Sequence, residues 1–73
     1  MSQEQAIADF LEESGGYYTP EVIQYIIYRN TVPLTSIRRA LSNLTKRGVV
    51  VKTKTRKPGN HGRLVHTWQH RRS

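Results

Sequence analysis

Seventy-three residues leave room for one domain with a modest core, because a chain this short buries only about 60% of the surface it exposes when unfolded; a deep, water-excluding catalytic cleft is not expected. No cysteine is present, which excludes a disulfide framework and a cysteine-based zinc site and leaves stability to helix packing or oligomerisation. The formal net charge of +7 is segregated: residues 1–28 hold all five acids (Glu4, Asp9, Glu12, Glu13, Glu21) and no Lys or Arg, while residues 29–73 hold all twelve Lys and Arg and no acid.

Solubility needs only mixed charge. Segregation gives one part of the surface a positive potential that attracts polyanions. The bland alternative is a solvated basic surface without a partner, but many of the cations fall in patterned elements rather than one low-complexity run. The N-terminus carries acids rather than a basic region followed by a long apolar run, and no apolar stretch approaches the roughly 20 residues that span a bilayer. The expected location is cytoplasmic, wherever the cell keeps its nucleic acid, with no membrane partner.

The first helix is expected over about 3–14. Ser2 followed by Gln5 is a capping-box pattern, Ala6, Ile7, Phe10 and Leu11 recur at helical spacing, and Gly15-Gly16 stops the run. Tyr17, Tyr18 and Thr19 favour a brief extended segment. Thr19 then caps a second helix, over about 20–29, with Pro20 at its first position and Glu21 near its positive end. Ile23, Ile26 and Ile27 form its core-facing side, with Tyr25 and Tyr28 on the flanks.

Asn30 to Pro33 supplies a short connection, with Asn30 suited to the left-handed conformation. The third helix, over about 34–47, spaces Leu34, Ile37, Leu41 and Leu44 by 3, 4 and 3, within about a third of the circumference. Opposite them lie Thr35, Arg39, Ser42 and Lys46, flanked by Arg38 and Asn43. After Gly48, Val49 to Thr55 is rich in β-branched residues, Arg56 to Gly62 is a turn cluster, and Arg63 to Gln69 reads as a returning strand. A two-stranded hairpin, the wing, is thus expected over about 49–69, with Lys52, Lys54 and Arg56 on one face and Val49, Val51, Thr53 and Thr55 on the other. His70 to Ser73 is expected to fray.

The carrying residues are Leu34-Thr-Ser-Ile-Arg-Arg-Ala-Leu41 with Leu44, then Lys46-Arg47-Gly48-Val49-Val50, then Gly62-Arg63 with Val65 and Trp68. In these the segment from Thr19 to Trp68 resembles bacterial, archaeal and phage winged helix-turn-helix regulators. The fold class expected is α+β, mainly α: three helices and a C-terminal two-stranded wing. The resemblance implies sequence-specific binding of double-stranded DNA, as in a small transcriptional regulator or a phage or plasmid accessory protein.

Physical chemistry points the same way. A helix has about the width that the major groove admits, and a two-stranded ribbon can follow the backbone or enter the minor groove. Arg39 suits a guanine edge and Asn43 an adenine edge; Thr35, Ser36, Arg38 and Ser42 complete the base-reading candidates. Lys46 and Arg47, near the helix end, and Lys52, Lys54, Arg56, Lys57 and Arg63, in the wing, are the phosphate candidates. Lysines on an edge strand also block aggregation, and Lys46 and Arg47 also complement the helix dipole.

His61, His66 and His70 lack a cysteine or nearby acid to complete a metal site, Trp68 suits core packing, and no nucleophile-base-acid set is present. Neither catalysis nor a cofactor is expected, and no effector pocket is legible. Competing readings are a protein-interaction module, supported by the acidic first helix and the tyrosines, and binding of structured RNA through the wing. The oligomeric state is open: a domain of this size covers only a short site, so specific binding usually calls for two copies on a repeated or palindromic site, and the first helix is the natural surface for such a homodimer unless the core uses up its apolar residues.

Overall fold

The computed structural model describes residues 2–59 and 62–72. Its elements run α1 (Gln3–Ser14), β1 (Tyr17–Tyr18), α2 (Pro20–Tyr28), α3 (Leu34–Lys46), β2 (Val50–Pro58) and β3 (Leu64–His70). Each helix begins and ends for a local reason. Ser2 Oγ accepts from the Gln5 N–H at 3.1 Å, and Gly15, at φ 68°, returns its N–H to the Leu11 carbonyl. Only half of the capping box forms, because the Gln5 amide donates to Asp9 Oδ1 instead. Thr19, buried, accepts from the Val22 N–H at 3.3 Å and Pro20 opens α2.

The α2–α3 turn departs from expectation. Arg29 (φ 50°) and Asn30 (φ 65°) are both left-handed, where Asn30 alone is predicted, and α2 ends at Tyr28. The cost, about 1–2 kcal/mol for the arginine, is offset by its N–H bond to the Tyr25 carbonyl (3.0 Å) and by its guanidinium standing over the Tyr25 ring at 5.5 Å. Gln24 Nε2 donates to the Val32 carbonyl at 2.6 Å and pins the far side of the turn.

Ile7, Leu11, Ile23, Ile37, Leu41, Leu44 and Val50 form the buried centre, with Phe10, Tyr18, Ile27, Tyr28 and Trp68 packed around it. Two expectations change here. Ile26 is 43% exposed, so α2 contributes Ile23 and Ile27 and turns Ile26 outward. In α3, Ala40 joins the buried stripe while Leu34 is only half-buried.

The sheet has three antiparallel strands in the order β1-β3-β2, not two. The tyrosine segment pairs with the end of the hairpin, Tyr17 opposite Gln69 and Tyr18 opposite Trp68, and covers an edge that a lone hairpin leaves open. β3 also runs further than predicted: it includes His70, and the Arg71 N–H bonds the Val49 carbonyl at 3.1 Å, so this part of the tail is tied down.

The expected alternation in β2 holds for Lys52 and Arg56, whose partners Trp68 and His66 share a face, and breaks between them. Val50, not Val49 or Val51, is the buried valine, and Lys52 shares its face with Trp68. Between Lys52 (opposite Trp68) and Arg56 (opposite His66), Thr53, Lys54 and Thr55 stand against Thr67 alone, an enlarged β-bulge. Thr67, with no exposed surface, holds it: its hydroxyl contacts Thr53 Oγ1 and donates to the Thr55 carbonyl at 3.0 Å, while the Thr55 N–H donates to Thr53 Oγ1 at 3.2 Å. His66 Nδ1 adds a bond to the Thr53 carbonyl.

Candidate nucleic-acid interface

α3 separates its side chains sharply. Ile37, Ala40, Leu41 and Leu44 are buried, and Thr35, Arg38, Arg39, Ser42 and Lys46 are exposed. At about 100° per residue, Thr35, Arg39 and Lys46 form the outward centre line, with Arg38 and Ser42 on one flank and Ser36, Asn43 and Arg47 on the other. The first turn carries no acid, and Pro33, at the N-cap, offers no side-chain cap. Lys46 lies in the last turn, where the helix dipole favours a cation. Among the described residues, no carboxylate lies within ion-pair distance of Arg38, Arg39 or Lys46.

The second flank is occupied. Glu4, on α1, accepts from Asn43 Nδ2 at 3.3 Å through one oxygen and from Arg47 Nη1 at 3.1 Å through the other. Asn43 and Ser36 are half-buried, so they have less reach outward than Arg39.

The wing cations divide into held and free groups. Lys52 Nζ lies 5.9 Å from the Trp68 ring centroid and Lys57 Nζ 4.8 Å from that of Tyr17. Lys52 and Arg56 share one face, because their partners Trp68 and His66 do; Lys57, opposite Val65, is on the other, and Lys54 sits in the bulge. The single cationic row expected of Lys52, Lys54 and Arg56 is therefore interrupted. Lys54, Arg56 and Arg63 are exposed, and among the described residues no aromatic ring lies under them.

The bulged hairpin places its turn against the start of α2. A Cβ on Gly59 would meet Glu21 Oε2 at 2.6 Å, so a side chain there would push the Glu21 carboxylate aside. The Gly59 N–H bonds the Arg63 carbonyl at 2.8 Å, and Gly62 takes φ 75°. Asn60 and His61 of this turn, and Ser73 of the tail, lie outside the described residues.

Comparison with protein-family models, curated protein sequences and solved structures finds no match for the chain.

Three cations of the basic half, Arg29, Arg71 and Arg72, go unnamed as individual candidates in the sequence reading. Arg29 is drawn to Tyr25 by the left-handed turn, and Arg71 and Arg72 are set beyond β3. Glu4 escapes it too, since charge segregation along the chain says nothing about which acid packs beside α3. Among the described residues, no three His, Asp or Glu side chains cluster as metal ligands, and no helix is long and apolar enough to cross a membrane.

Proposed function

We propose that this chain is a winged helix-turn-helix protein that binds double-stranded DNA in a sequence-dependent way, with α3 in the major groove and the hairpin along the backbone or minor groove. The observation that carries this reading is the exposed, acid-free stripe of Thr35, Arg38, Arg39, Ser42 and Lys46 on a helix whose opposite side is buried. Such a helix fits a groove about 12 Å wide, and its long cations reach base edges and phosphates together. The order of elements supports it: α3 is followed by a two-stranded hairpin, as the reading requires, and a short strand between α1 and α2 extends that hairpin's sheet. A role as a small transcriptional regulator or a phage or plasmid accessory protein follows from the same reading, with two copies on a repeated or palindromic site.

Selection of bound sequences from a random duplex pool, at two salt concentrations, tests it. Arg39→Ala should lose about 1–3 kcal/mol on the selected site and relax preference there, while Lys54→Gln should weaken every duplex alike and reduce the salt slope by about one. Equal losses on all sequences from both substitutions refute base reading by α3.

One observation favours a second reading. Val22, Tyr25 and Ile26, 40%, 55% and 43% exposed, form an apolar stripe on α2, which suits contact with another protein. Absence of duplex binding at low salt, with tight capture of a protein partner that Ile26→Ser abolishes, decides for it.

A further inference from the structure

Glu4 sits beside the basic stripe of α3. α1 and α3 pack side by side, and Glu4, in the first turn of α1, is bracketed by two donors one turn apart on α3. Asn43 Nδ2 reaches one carboxylate oxygen at 3.3 Å and Arg47 Nη1 the other at 3.1 Å. Two convergent donors, one of them charged, meeting two oxygens of one anion are what a phosphodiester also requires through its non-bridging oxygens. The cluster is open to water, with side-chain exposures of 63% for Arg47 and 32% for Glu4, so the pair is screened and weak, and one oxyanion can replace another.

We propose that Asn43 and Arg47 form a phosphodiester-binding site at the α1–α3 junction, and that Glu4 fills it in the free protein. The proposal rests on the duplex-binding reading and reassigns Asn43 from base edges to backbone. Position selects the ligand. The pair lies on the flank of the helix whose centre line is Thr35, Arg39 and Lys46, so a strand bordering the groove occupied by α3 passes on this side. Its phosphate meets two donors and the positive end of α1 once the carboxylate swings aside. Glu4 thereby sets the strength of non-specific binding, because its charge must be displaced before the site can be used.

The test is Glu4→Gln in the full chain, which keeps the side-chain shape and removes the charge. Glu13→Gln, an exposed position on the same helix, is the charge-matched control. Affinity for a random-sequence duplex is measured by fluorescence anisotropy over a salt series, with circular dichroism to confirm folding. Glu4→Gln should tighten binding about fivefold more than Glu13→Gln at low salt and steepen the logarithmic salt dependence by about one. In an Arg47→Gln background the gain should shrink to that of the control. Equal effects of the two substitutions, weaker binding by Glu4→Gln, or a gain that survives Arg47→Gln overturns the proposal while leaving duplex binding intact. Failure of the unaltered chain to bind any duplex at low salt overturns both.

Discussion

Thr67→Val probes how the wing gets its shape. The substitution keeps the volume and β-branching of a side chain with no exposed surface and removes only the hydroxyl. That hydroxyl donates to the Thr55 carbonyl at 3.0 Å and contacts Thr53 Oγ1, so two bonds are lost inside the bulge. At about 0.5–1.5 kcal/mol net for each, the loss is about 2 kcal/mol, against a total stability of about 4–11 kcal/mol for a domain of this length. Such a loss lowers Tm by about 8–16 °C. Urea and thermal unfolding followed by circular dichroism measure it, and a cycle with Thr53→Val checks its origin: the double variant should be less destabilised than the sum of the singles by at least about 0.5 kcal/mol. A Thr67→Val protein whose Tm lies within about 1 °C of the original refutes the hydroxyl clasp as the support of the bulge.

Three further outcomes follow from burial and backbone geometry. Ile37→Ala, at a position with no exposed surface, should cost about 3 kcal/mol, whereas Ile26→Ala, 43% exposed, should cost under about 1 kcal/mol in urea unfolding. Gly48→Ala should cost about 1–2 kcal/mol or more, because φ 77° is left-handed and the new Cβ meets the Arg71 guanidinium at 3.2 Å; Gly15→Ala, at φ 68° but in open space, should cost less in the same assay. Burial pushes the Tyr28 phenol above its ordinary 10.0. The unfolded chain then releases this proton before the folded one does, so this share of stability is intact below pH about 10 and is lost as pH rises through the raised value. Tyr28→Phe should flatten that alkaline decline in Tm.

The helices and the outward face of α3 are legible from the chain because their causes are local. Caps such as Ser2 and Thr19, the αL glycines and the 3-4-3 spacing of Leu34, Ile37, Leu41 and Leu44 act within a turn or two. The same periodicity puts Arg39 opposite the core, whatever the rest of the molecule does.

Other features depend on residues far apart in sequence. Ile26 and Ile27 are equally apolar, and which of them is buried depends on how α2 packs against α3. Tyr17-Tyr18 becomes a strand only because β3 offers an edge, and the alternation of β2 breaks only because Thr67 clasps Thr53 and Thr55 across the hairpin. Charge along the chain separates acids from bases, yet packing of α1 against α3 sets Glu4 between Asn43 and Arg47, with 39 residues separating it from Asn43. Periodicity and capping act along a few residues of backbone; strand register and ion pairing are settled by which surfaces meet once the core closes.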